Sequence, residues 1–266
     1  MQFGSAVWQG DNSKFYVIRQ SRDIQRADLC VVDVATATAT DVVCEEMNTS
    51  IEWQMPTLVS NDTEIIQWSE RTGWAHLYRY SVDGELINQI TKGEWHVSQV
   101  LGVDDAKRVI YFTATGYNKD ENPYYLHLFR VNYDGTGLKQ LDPTGFNGEF
   151  SLSDDRRFFT TTYSRVDAAP VSELYTTEGK RVMALESVDL EPLFAMGYTY
   201  PERFVVKAAD GITDIHGVMY KPYDFDPSKK YPIIEYVYPG PQTEAVEQSW
   251  YRPQGRTDRL AQMGLI

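Results

Sequence analysis

Cysteine is scarce in this 266-residue chain, basic residues are outnumbered, and no long apolar run occurs. Two cysteines, Cys30 and Cys44, cannot make a disulfide framework, and neither has a His or Cys neighbour at metal-ligand spacing. If the turn between them centres near Ala37, they lie opposite one another on a hairpin. Cross-strand disulfides are strained, so two free thiols are the expected state. With 25 Lys and Arg against 38 Asp and Glu, the net charge of −13 argues against a nucleic-acid or anionic-membrane surface. No window approaches the roughly 18 to 20 apolar residues a membrane helix needs, and MQFGSAVWQG is no signal peptide, lacking a basic start and an apolar centre. Helical periodicity is absent from Lys14 to Leu185.

What is present is a repeat. KFYVIRQ from Lys14, EIIQWSE from Glu64, RVIYFTA from Arg108 and RFFTTTY from Arg157 are β-branched and aromatic, and each follows a polar turn. Their first apolar residues, Phe15, Ile65, Val109 and Phe158, are spaced by 50, 44 and 49 positions. A second strand type, keyed by Leu29, Leu77, Leu128 and Leu174, recurs in phase at 48, 51 and 46. It runs into turns such as Asp83-Gly84, Asp134-Gly135 and Glu178-Gly179, then into short outer strands such as Leu86 to Ile90 and Val182 to Leu185. Inner strands are expected around Ala6 to Trp8, Thr57 to Ser60, Val100 to Val103 and Phe150 to Leu152. Four strands per unit at this period predict β-propeller blades. A β-sandwich with coincidental spacing is the competing reading, weakened because two strand types repeat together. The first blade is expected to be cut into at its start.

The pattern changes after Leu185. A connector bearing Pro192, Gly197 and Pro201 leads to a hairpin, Glu202 to Lys207 with Ile212 to Tyr220, around Ala209-Asp210-Gly211. The apolar run Tyr231 to Tyr238 then reads as a strand covered on both faces, ended by Pro239-Gly240-Pro241. A helix is expected over Arg256 to Met263, closed by Gly264, with Leu265 and Ile266 opening another strand. The fold class is therefore mainly β: about four propeller blades over 1–190, then the truncated start of an α/β domain over 191–266.

This order of parts, with SLSDDRRFFTTTYSRVDAAPVSELY, ITKGEWHV and DGITDIHGVMYKPYDFDPSKKYPIIEYVYPGP, resembles the prolyl oligopeptidase family of serine peptidases, most closely its dipeptidyl peptidase IV branch. The resemblance implies an eight-bladed ring in the parent and an α/β-hydrolase domain beginning near residue 191. It also implies removal of N-terminal dipeptides after Pro or Ala, a peptide substrate with a free N-terminus, no cofactor or metal, and compatibility with a homodimeric parent. Bacterial members are often periplasmic. The tyrosine before the Pro-Gly-Pro turn donates to the oxyanion hole in that family, and the matching residue is Tyr238. The nucleophile, acid and base are implied to lie beyond residue 266, since no Gly-x-Ser-x-Gly elbow occurs. His76, His96, His127 and His216 are accordingly poor candidates for the base, and His76 and His127 mark the same strand position in two blades. Glu45-Glu46, the one adjacent acidic pair considered for binding an ammonium, reads as solvated surface. Asn48-Thr49-Ser50 and Asn61-Asp62-Thr63 match a short, common glycosylation pattern. A propeller binding module with a degenerate hydrolase-like tail is the alternative function, and a tripeptidyl or endo-acting peptidase is a third.

Overall fold

The computed structural model describes residues 2–3, 5–238, 245–251 and 256–266. Two compact units emerge: Met1–Lys119 with His127–Asp142 and Asp154–Arg156, and Asp120–Leu126 with Pro143–Ser153 and Arg157–Ile266.

The first unit holds three antiparallel meanders. β1 (Gln2–Phe3) and β2 (Val7–Trp8) share the inner edge of β3 (Lys14–Gln20), followed by β4 (Arg26–Asp33) and β5 (Thr38–Glu46). All four strand positions of this first sheet are thus filled, contrary to the expectation of a blade cut short. The second sheet is β6 (Thr57–Val59), β7 (Glu64–Ser69), β8 (His76–Ser81) and β9 (Leu86–Gln89). The third is β10 (His96–Asp104), β11 (Val109–Thr115), β12 (His127–Asn132) and β13 (Lys139–Gln140). Each repeated motif found in the sequence lies on its expected strand.

Successive side chains of a strand point to opposite faces, so a blade between two others must be apolar on both. In β7, Ile65 joins Tyr16, Ile18, Leu29, Tyr78 and Tyr80 in one core, while Ile66 and Trp68 join Leu77, Ile110, Phe112 and Phe129 in another. Trp95, from the segment between the second and third sheets, stacks with Phe112 and Phe129 at centroid distances of 6.2 and 6.1 Å. The Asp83-Gly84 turn has a further requirement: Gly84 sits at φ +89°, and a Cβ there would come within 2.1 Å of the Val42 carbonyl oxygen on β5.

Acidic residues in the turns fasten one sheet to the next. Asp62 accepts from the Gly10 N–H at 2.6 Å. One repeat later, Asp105 accepts from Ser60 N at 2.8 Å and from the Tyr133 hydroxyl at 3.0 Å. Glu64, at the start of β7, takes a bidentate pair of bonds from Arg79 at 2.7 Å, with Ser60 Oγ at 2.9 Å and Arg108 at 3.2 Å. Hydrogen bonding from Arg79 holds its carboxyl at about 2, below the ordinary 4.5. A depressed carboxyl stabilises the fold above its ordinary value, and that stability drains as pH falls from 4.5 towards 2. Glu64→Gln should flatten this acid limb by about 3 kcal/mol in urea titrations at pH 6 and pH 2.5; an unchanged acid limb would show that the guanidiniums do not set the charge.

The hairpin geometry explains the cysteines. Ala37 takes φ 54° in the turn, but the register places Cys30 opposite Asp41 and Cys44 opposite Asp28, with a shift between Leu29 and Cys30. The thiols therefore do not face one another, and both are free.

The second unit begins with a fourth sheet: β14 (Asn147–Leu152), β15 (Phe158–Arg165), β16 (Ala168–Thr176) and β17 (Arg181–Ser187). Short helix α1 (Glu191–Ala195) follows, with Pro192 in its first turn. Next comes the hairpin of β18 (Glu202–Lys207) and β19 (Asp214–Met219), and near the end α2 (Arg256–Gln262). Among the described residues, no helix is long and apolar enough to cross a membrane.

Candidate functional site

The sequence singled out Tyr231 to Tyr238, and the structure places it differently from expectation. The segment forms no assigned strand, and Ile233, Ile234, Tyr236, Val237 and Tyr238 are all exposed. The reason is a missing lattice of neighbours. A parallel strand needs a partner on each edge and cover on each face, and among the described residues one short stretch supplies it. Ile234 N donates to the Ile266 carbonyl at 2.8 Å, and Ile266 N donates to the Pro232 carbonyl at 2.9 Å. That slanted exchange around Ile233 is the first rung of a parallel ladder. With α2 between the two stretches, the pairing joins segments on either side of a helix, but Leu265 and Ile266, expected to open a buried strand, form no assigned strand and are only partly buried. Gly264, at φ +90°, ends α2 as expected.

The tail is anchored by polar aromatics. Tyr231 accepts from Asp226 N at 2.8 Å and packs against Phe225. Asp258 on α2 is buried and takes the Tyr223 hydroxyl at 3.2 Å; burial pushes its carboxyl up, and the Tyr223 bond pulls it back. Trp250 Nε1 donates to the Tyr198 hydroxyl at 3.1 Å. Tyr238 closes the described part of the segment with 60% of its surface exposed. It lies four residues after Ile234, which bonds to Ile266. The Pro239-Gly240-Pro241 turn lies outside the described residues.

His76 and His127 are buried within their blades. His76 is buried at the start of β8; its Nε2 contacts the Gly93 carbonyl at 2.9 Å and its Nδ1 contacts Thr91 Oγ1 at 3.1 Å. Thr91 Oγ1 also accepts from Leu77 N at 3.0 Å. Burial pushes this imidazole down, towards the neutral form. One blade later the pattern returns with an acid: His127 Nδ1 pairs with Asp142 Oδ2 at 2.7 Å, and Asp142 Oδ1 accepts from Leu128 N at 2.8 Å. Burial raises the Asp142 carboxyl, opposed by His127. His–Asp pairing alone would suggest a base and its orienter, but both side chains are sealed from solvent and repeat a closure made elsewhere by threonine. His96 is pushed down by burial, and His216 sits on β19 with its ring edge-on to Tyr124.

Glu45 departs from the solvated surface expected of it. Its carboxylate pairs with Arg71 and accepts from Ser69 Oγ at 2.8 Å, and Arg71 lies 4.3 Å over the Tyr78 ring. Sequence spacing had no means of pairing β5 with a turn of the next sheet. Glu46 is exposed, as expected. Asp28, Asp41 and Cys44 present ligand atoms within 4.8 Å of one another. Arg19 already bridges the two carboxylates at 2.9 and 2.8 Å, so a guanidinium fills the role a metal ion would take.

The likenesses to known proteins agree with this architecture. The family model described as the dipeptidyl peptidase IV N-terminal region matches residues 3–170. Dipeptidyl peptidase 4 of Trichophyton tonsurans is 34% identical over 188 residues, which is 68% of this chain and 24% of that protein; the Trichophyton rubrum protein of the same name matches to the same extent. The chain thus spans about a quarter of the length of these curated relatives. A crystal structure from Bacteroides ovatus, assigned as a dipeptidyl aminopeptidase IV, superposes with TM-score 0.79 at 27% identity, covering 99% of this chain and 40% of that one. Porphyromonas gingivalis dipeptidyl peptidase 4 shares the fold at TM-score 0.79 and 20% identity, over 96% of this chain and 36% of that one. With the family model covering more than half its length, the chain belongs to the dipeptidyl peptidase IV family.

Proposed function

We propose that the chain is part of a serine exopeptidase that releases dipeptides, after Pro or Ala, from peptides with a free N-terminus. Residues 1–190 act as propeller blades that gate and position substrate, and 191–266 begin the hydrolase domain. The observation that supports this reading is the pair of bonds joining Ile234 and Pro232 to Ile266 across α2, a pairing of the kind that opens a parallel sheet, with Tyr238 four residues after Ile234. The naming of the relatives as dipeptidyl peptidases supports the same conclusion.

Acyl transfer builds negative charge on the scissile carbonyl oxygen, and a preorganised hydroxyl donor there is worth about 3 to 4 kcal/mol. Tyr238 is that donor in this proposal, while residues after 266 supply nucleophile, acid and base in the order Ser, Asp, His. The test is hydrolysis of an Ala-Pro p-nitroanilide by the full-length protein. Dipeptide release abolished by a serine-directed fluorophosphonate is expected, with none from residues 1–266 alone. Turnover by 1–266, or insensitivity to the reagent, would overturn the assignment.

A further inference from the structure

Within the second unit, a cleft of about 410 Å³ opens between the loop at 120–126, the β18–β19 hairpin and residues 246–248. Its size is within the roughly 300 to 1,000 Å³ of small-ligand sites. We propose that this cleft binds a lysine or arginine side chain of a peptide, the aliphatic stem on its apolar wall and the cationic tip at its acidic rim.

The walls are held in place by their own bonds. Phe204 stands opposite Gly217 in the hairpin register, and its ring occupies the space of a Gly217 side chain: a Cβ there would meet it at 2.2 Å. Asn122 Nδ2 donates to Gln248 Oε1 at 2.8 Å, tying the loop to the third side. Glu121 accepts from Gly145 N at 2.5 Å. Phe204, Val218 and Val246 offer aliphatic and aromatic contact, while Asp120 and Glu247 offer carboxylates.

The balance of charge selects the ligand. The basic residues among the described lining are Arg203 and His216: Arg203 is already engaged, donating to Asp167 at 3.1 Å and to the Tyr125 hydroxyl at 3.0 Å, and the His216 ring stands edge-on to Tyr124. Asp120 and Glu247, both exposed, therefore line a cleft whose resident guanidinium is committed elsewhere. An anionic ligand meets repulsion, a purely apolar one leaves the rim unmatched, and a long stem with a charged head satisfies both parts. This inference is independent of the proposed peptidase chemistry.

The experiment is calorimetric titration of the full chain with N-acetyl-Leu-Lys-Leu-amide, whose blocked ends leave the lysine as its sole charge. Saturable binding is expected, weakened about tenfold or more by acetylating the lysine and about fivefold by Asp120→Asn with Glu247→Gln. Phe204→Ala should weaken it several-fold through the lost stem contact, while Asp83→Asn with Glu85→Gln, exposed acids far along the chain, should leave it within about twofold. Equal affinity for the acetylated peptide, equal loss in the Asp83/Glu85 pair, or no saturation below about 1 mM would each overturn the proposal, the second by reducing it to attraction towards a net −13 chain.

Discussion

Tyr238→Phe in the full-length protein is expected to lower kcat by roughly 10² to 10³ while leaving KM for an Ala-Pro substrate within a few-fold. The split follows from when the hydroxyl acts. A donor aimed at the oxyanion does little for the planar carbonyl of the bound substrate and most for the tetrahedral transition state. The substitution removes one oxygen and no ring. Tyr238 is 60% exposed in residues 1–266, so the stability of that stretch should be unchanged by the substitution. An unaltered kcat would remove Tyr238 from the chemistry. A fall in stability matching the loss of rate would assign it to packing instead.

The second large effect belongs to the third sheet. Asp142→Ala should destabilise the chain by about 3 to 5 kcal/mol, because it strips a buried imidazole and the Leu128 N–H of a fully enclosed carboxylate. The second sheet supplies the control, since Thr91 makes the corresponding bonds to His76 and Leu77 N through one uncharged oxygen. Asp142→Thr should therefore recover much of the loss, to within about 1 to 2 kcal/mol of the parent in urea unfolding. Equal damage from the Ala and Thr variants would show that the charge, and not blade closure, is what the site requires.

The blades were legible because their physics is local and repeated. Ile65, Ile66 and Trp68 are consecutive or nearly so, and each must be apolar because a sheet lies on either side. The turns carry their own chemistry in Asp-Gly pairs, so phase and boundaries followed. What escaped depends on partners distant in sequence. Asp142 gains its meaning from a residue 15 positions earlier in the next strand but one, and nothing in its own neighbourhood marks it. Glu45 reads as surface until Arg71 arrives from the following sheet. The hairpin shift at Cys30 is a one-residue matter that turn position alone cannot fix. The run at Tyr231 to Tyr238 was legible as apolar, but neither it nor Leu265 and Ile266 forms the expected strand, and two backbone bonds join them. Its burial was not met, because periodicity reports what a strand is suited to, whereas burial requires neighbours on both edges and both faces.

In the proposed enzyme, Tyr238 supplies one donor to a site completed by a serine, an acid and a histidine of the full-length protein. The most direct measurement compares two substrates in the full-length protein: Ala-Pro p-nitroanilide with a free amino terminus, and the same compound acetylated. A dipeptidyl exopeptidase should cleave the first and leave the second essentially untouched, since the blocked form lacks the ammonium that fixes the register of cleavage. Comparable cleavage of both would contradict the account and point to an endo-acting enzyme; cleavage of neither would leave the blades as a binding module.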